Sequence, residues 1–536
     1  MKKFFSILLL LVLSLSLFPL SACGEEEIIE LNVYNWEDYI ACEDYDMVSE
    51  FETWYEQTYH EKVVVNYSTF GTNENMYNEL KLTQKKEKDG SYSYSYDLVC
   101  PSEYMIQKMI KEDMLLTFDF TKLENYENNL APYIKDLFLE NGWYSYATCF
   151  NWGTMGFTYN PDKVAYEDVC SWSVVNNPKY KNKITIKDSV RDSYVLALGY
   201  IHADKLSNLK QSYDENSKEY NEQVHNLLND FSDESIEKAR VFLSEVRQNL
   251  YGFEVDSGKQ DMATGKLLIN FAWSGDAVYA MDFAEEQDTY LEYVVPNEGS
   301  NIFFDGWVMP KGANQDLAQK FLNFMYDEYN AIQNLDYICY SSPMVGEEIF
   351  DYVSLNYGLS TLIEVDKNGE DEEDLILVDG KYYKEVPLAK DPNFVGQSTY
   401  SLTYYDEDTE TIITEDPVSV YPYSVKHFFK DKISGDGVIY TDSLNRQLVA
   451  MYPEESTMNR CVVMEHVETD RLKKLNNMWD SVKVGYMPYS TMLIVTIVAV
   501  LVLGAILTLI VLKKKGITIR LPKKDLGTLV KSERIK

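Results

Sequence analysis

The spacing of hydrophobic positions changes repeatedly along this chain. Ile29, Leu31 and Val33 alternate with polar residues, which is the two-residue period of a strand. Met47, Phe51 and Trp54/Tyr55 recur at helical spacing, and Val63-Val64-Val65 reads as a second strand. Met76 and Leu80 place a helix over Asn73 to Leu82, and Tyr96 to Cys100 forms a third strand closed by Pro101. Strands alternating with helices predict an α/β domain with a parallel sheet.

The pattern resumes further on. Ile184-Thr185-Ile186 is a short strand, and Ile236, Ala239, Phe242/Leu243, Val246 and Leu250 trace one helix face. Leu267 to Trp273 is an apolar run suited to a buried strand, and Asn314 to Asp327 is a helix with Leu317, Phe321 and Phe324/Met325 on one side. Residues from about 350 to 436 differ. They are rich in acids and tyrosines, with short β-like pieces between Asp-Gly and Asp-Pro turns, and read as an inserted acidic subdomain.

Both ends depart from this alternation. Lys2 and Lys3 precede a charge-free stretch, Phe4 to Leu20, which leads to Ser21-Ala22-Cys23. A basic start, a short apolar run and small residues describe an export signal. Cys23 at the cut is similar to the lipidated cysteine of bacterial lipoproteins. Thr491 to Leu512 is 22 residues without a charge, long enough to span a bilayer as a helix. Nine Lys/Arg in the last 24 residues mark 513–536 as a cytoplasmic tail. The reading is a chain held at a cell membrane by both ends, with the region between them on the extracytoplasmic face.

Composition narrows the function. The net charge is −37 although both ends are basic, so the exported part is strongly acidic. That field disfavours nucleic acid and attracts cations. Six widely scattered cysteines remain after Cys23, and their spacing assigns no disulfides. Five histidines without HExxH, and the lack of a P-loop or GxSxG elbow, give no sign of a metal, a cofactor or a catalytic machine.

Asn35-Trp36-Glu37-Asp38-Tyr39 follows the first strand, at the end where α/β sheets bind ligands. Rings and carboxylates together suit an alkyl ammonium ion. Leu31 to Ile40, Ser68-Thr69-Phe70, Asn73 to Tyr77 and Tyr96 to Tyr104 resemble successive segments of the spermidine/putrescine-binding proteins of bacterial polyamine ABC transporters. So do Asn151 to Thr154, Gly156 to Asn160, Asp188-Ser189-Val190-Arg191-Asp192, Trp273 to Ala277, Pro296 to Gly299, Asp305 and Tyr340 to Pro343, in that order.

The resemblance implies a two-lobed periplasmic-binding-protein-like fold of type II. Lobe 1 is then 28–145 continued by 302–348, lobe 2 is 146–301 continued by 437–484, and 349–436 is the insertion. It implies an aromatic box of Trp36, Tyr39, Tyr104, Trp273 and Tyr340, with Phe303 where the family often has tryptophan. Asp38, Asp192 and Asp305 would receive ammonium groups, Ser102 and Asp188 would add polar contacts, and Glu465 falls near a family glutamine. It further implies a non-enzymatic binding component serving a permease and an ATPase. The residues alone leave open another ligand, a sensor, or a surface hydrolase using paired carboxylates.

Overall fold

The computed structural model describes residues 28–367, 375–407, 409–442 and 446–484. The chain divides into a unit ending at Met478 and a second one from Trp479. Of the second, only 479–484 are described, as the end of a helix, Thr469–Val484. Cys23, the expected span 491–512 and the tail 513–536 lie outside the described residues. Among those described, no helix is long and apolar enough to cross a membrane.

The first half follows the predicted alternation. Strand β1 (Ile29–Trp36) buries Leu31 and Val33, and helix α1 (Met47–Tyr59) buries Met47, Phe51 and Tyr55. The Asp46 carboxylate caps α1 by accepting the Ser49 N–H at 2.9 Å. Strand β2 (Val63–Phe70) lies parallel to β1, from Ile29↔Val63 to Trp36↔Phe70. Helix α2 (Asn73–Thr83) packs Met76 and Leu80 inward. Strand β3 is only Leu98–Val99, parallel to β1, and leads through Pro101 and Ser102 into helix α3 (Glu103–Lys111).

The next strand, β4 (Ala147–Tyr159), is buried along its whole length. Beyond it come β5 (Ile184–Lys187), helix α4 (Val190–Ile201), helix α5 (Asp233–Val246), β6 (Gly252–Glu254) and β7 (Ile269–Trp273). Helix α6 (Ser274–Glu285), β8 (Glu292–Val294) and β9 (Ser300–Val308) follow, and β9 is also buried throughout. Helices α7 (Gln315–Met325) and α8 (Glu328–Ile338) return to the first half. One ten-stranded sheet has the order β2-β1-β3-β9-β4-β7-β5-β6, with β8 on β4 and Cys461–Val462 on β9.

The sheet is mixed, which corrects the expectation of a parallel one. Pairs within each lobe (β1–β2, β1–β3, β5–β6, β5–β7) are parallel. The chain leaves the first lobe on β4 and comes back on β9, so these two strands run against each other, β9 against β3 and β4 against β7, while the short Cys461–Val462 strand is parallel to β9. The result is two α/β lobes joined by a pair of antiparallel crossing strands.

Within 349–436 the chain first completes helix α9 (Glu347–Tyr357), which buries Ile349, Phe350 and Val353 in the main core. A three-stranded antiparallel sheet follows, of β10 (Ser360–Val365), β11 (Ile376–Val378) and β12 (Lys381–Pro387) in the order β10-β12-β11. Leu388, Phe394 and Val420 form a small core of their own. Tyr423, Val425, Phe428 and Phe429 rejoin the main core. Entry and exit are tied together, since the Leu359 N–H donates to the Tyr440 carbonyl at 2.7 Å.

Candidate functional site

Asp305 lies on β9, where the ladder to β4 slips. Asp305 pairs with Asn151 but Gly306 pairs with Cys149, which leaves Phe150 as an extra residue in β4. The Asp305 carboxylate is buried. Tyr39 OH donates to Oδ2 at 2.9 Å, and Ser102 Oγ donates to Oδ1 at 2.7 Å. Asn73, at the start of α2, sets this arrangement. Its Nδ2 donates to Ser102 Oγ and to Tyr104 OH, each at 3.0 Å, and its Oδ1 accepts the Ser102 N–H. Asn73 and Ser102 sit just past the carboxyl ends of β2 and β3, the end at which open α/β sheets bind ligands.

Rings enclose the carboxylate. Tyr39 meets Tyr340 edge-on, with centroids 5.0 Å apart, and meets the bulged Phe150 at 5.5 Å. Phe303 lies 6.2 Å from Tyr340. Burial raises the Asp305 pKa to about 6 against the pull of the two hydroxyls, and Asp192 pushes it up further. Burial raises Asp192 as well. Next to them, the Glu103 carboxyl is buried on α3 and pushed up to about 8 by burial, while accepting the Phe304 N–H at 3.2 Å.

On the other lobe, Trp273 ends β7 and Asp276 lies in the first turn of α6. Tyr340 OH donates to Asp276 Oδ1 at 3.0 Å, and Lys187 Nζ donates to Oδ2 at 2.9 Å. Close approach requires glycine at two places. A Cβ on Gly275 would lie 2.1 Å from the Tyr340 ring, and one on Gly153 would lie 2.7 Å from Phe303. Arg191 does not form an ion pair with Asp192. Its guanidinium lies 5.0 Å from the Tyr104 ring and 5.2 Å from Phe231, and Nη2 donates to the Glu465 carbonyl at 2.6 Å.

The structure thus brings together Tyr39, Ser102, Tyr104, Asp192, Trp273, Phe303, Asp305 and Tyr340. Trp36 lies at the same strand end, half-buried, 4.6 Å from Phe70. Three expected residues fall outside this enclosure. Asp38 is exposed on a left-handed backbone, φ 48°. Asp188 is exposed, with its N–H donating to the Glu254 carbonyl. The Glu465 side chain faces His225, at 3.7 Å, and only its backbone turns toward Arg191. Sequence reasoning missed Asn73, Glu103, Phe150, Lys187 and Asp276, although Asp276 closes the Trp273-Ser274-Gly275-Asp276 segment. Two buried carboxylates among rings and hydroxyls are equipped to hold a cation.

Comparison with known proteins agrees with this chemistry. A family model for bacterial extracellular solute-binding proteins matches residues 46–344. The spermidine/putrescine-binding periplasmic protein of Escherichia coli K12 is 29% identical over 359 residues, covering 66% of this chain and 90% of its own. The putrescine-binding periplasmic protein SpuD of Pseudomonas aeruginosa is 28% identical, covering 65% and 89%. A solved Listeria monocytogenes chain ascribed to a spermidine/putrescine ABC transporter superposes with a TM-score of 0.53 at 23% identity, covering 85% and 98%.

Proposed function

The chain belongs to the bacterial extracellular solute-binding proteins, and on that premise we propose that it captures polyamines outside the cell and hands them to an ABC permease and its ATPase. The observation that carries this is the state of Asp305. It is buried and held by two neutral hydroxyls, and no lysine or arginine among the described residues lies within ion-pair distance. A buried carboxylate without a counter-charge is costly, and a bound ammonium offsets that cost. Asp305 and Asp192 would receive ammonium groups. Tyr39, Tyr340, Phe303, Trp273, Trp36 and Tyr104 would wall the alkyl chain, and Ser102 would fix the Asp305 rotamer. The names of the relatives, spermidine and putrescine binders, support the same class of ligand.

Titration calorimetry of the full chain in detergent, with putrescine, spermidine, spermine and an amino-acid control, tests this. The expected result is saturable binding of a polyamine at about micromolar Kd or tighter, and no heat from the amino acid. A folded protein that takes up no polyamine refutes the proposal.

We further propose that lipidation at Cys23 and the apolar segment 491–512 hold the binding unit beside its permease at high effective concentration. Removing the residues after Tyr489 while keeping Cys23 is expected to lower uptake at limiting polyamine. Uptake equal to that of the intact chain at every polyamine concentration contradicts the proposal.

A further inference from the structure

The lobe that carries Trp273 already holds a cation. Lys187 ends β5 with its side chain only 1% exposed. Its ammonium lies 2.9 Å from Asp276 Oδ2, 3.2 Å from Glu254 Oε1 and 2.5 Å from the Val255 carbonyl, so all three of its N–H donors are used. The same nitrogen lies 4.2 Å from the centre of the Trp273 ring. Both oxygens of Asp276 are engaged. Its second oxygen accepts from Tyr340 OH and has Lys259 at 4.0 Å. Burial works against the Lys187 charge, and Asp276 and Glu254 more than reverse that effect.

This pairing changes the charge balance of the enclosure. Of the buried acids around the rings, Asp276 shares a built-in cation with Glu254, and burial pushes Glu103 up to about 8. Asp192 and Asp305 have none within ion-pair distance among the described residues, since Arg191 is spent on Tyr104, Phe231 and a carbonyl. Two charges match the two ammonium groups of a diamine. A triamine brings a third, and the aromatic face and carboxylate that would receive it are occupied. Resting on the polyamine reading, we infer that Lys187 is a resident counter-ion that makes this cleft selective for a linear diamine over a triamine.

Calorimetry of the full chain in detergent, with putrescine and spermidine, tests the inference on the wild type, on Lys187→Met and on Lys187→Met combined with Asp276→Asn. The wild type is expected to bind putrescine at least about tenfold more tightly than spermidine. Lys187→Met frees Asp276 and Trp273, and is expected to shift the ratio of the two affinities at least about a hundredfold toward spermidine. The double variant, with no freed carboxylate at 276, is expected to return to diamine preference.

Equal affinity of the wild type for both amines, or a preference for spermidine, overturns the inference and leaves polyamine capture standing. So does a Lys187→Met chain that binds putrescine with the ratio unmoved. A wild type that binds neither amine overturns polyamine capture itself, and this inference with it. If the single variant does not fold, the wild-type ratio decides.

Discussion

Replacing Asp305 with asparagine is expected to cut polyamine affinity by roughly a hundredfold or more, because removing one partner of a buried charge pair costs about 3–5 kcal/mol. The same change is expected to raise the melting temperature of the unliganded protein. Burial lifts the folded-state pKa of Asp305 from 3.8 to about 6, so ionising it costs folding free energy. That cost is absent below pH 3.8, grows between pH 3.8 and about 6, and is complete above that, where it amounts to roughly 3 kcal/mol at about 1.4 kcal/mol per unit. The asparagine amide does not ionise and escapes it. The stabilisation should therefore be largest near pH 8 and vanish near pH 4, as read by thermal melts across that range. In the wild type, affinity should weaken as the pH falls through about 6 and the carboxyl takes up its proton. A variant that binds as tightly as the wild type, or a melting difference that ignores pH, contradicts the role given to Asp305.

The second large effect comes from a residue that carries no functional group. Gly275→Ala places a methyl 2.1–2.4 Å from three atoms of the Tyr340 ring, an overlap that only movement of the ring relieves. That ring donates to Asp276 through its hydroxyl and braces Tyr39 and Phe303, so its displacement opens the enclosure without removing a charge. Affinity is expected to fall by roughly ten- to a hundredfold, with a stability loss of about 1–3 kcal/mol as for other overpacked sites. Gly71→Ala is the control. Nothing lies within 4 Å of its added methyl, and its stability should stay within about 0.5 kcal/mol of the wild type. Wild-type affinity in Gly275→Ala would remove Tyr340 from the binding wall.

Much of the first lobe could be read directly, because its period changes from two to nearly four within a few residues. Leu31 and Val33 declare a strand, and Met76 and Leu80 declare a helix. Asp305 was also visible. A lone acid inside Phe303-Phe304-Asp305-Gly306-Trp307 contradicts the apolar strand around it, and the ligand-binding role proposed for it would explain the contradiction. The crossing strands, which the family resemblance implies, were not legible from periodicity, since strands buried on both faces lose the alternation that reveals direction and pairing.

Lys187 was hidden for another reason. Beside Asp188 at a strand end it looks like an exposed charge, and its partners Glu254 and Asp276 are distant in sequence. Asp38 stands apart for a local reason, because its left-handed backbone lies between Trp36 and Tyr39 and the residue is exposed.

The slip at Asp305 sets what lengths of chain this architecture tolerates over evolutionary time. The stretch between Leu359 and Tyr440 has its ends hydrogen-bonded together, so its outer part, before Tyr423 rejoins the main core, can gain or lose segments at little cost to the rest. Phe150 is the opposite case. It is one unpaired residue, but losing it would make the ladder regular and turn Ala147, Thr148 and Cys149 to opposite faces. Residues can drift in that outer part, then, while the deletion of a single codon in β4 would re-face a stretch of the strand paired with Asp305.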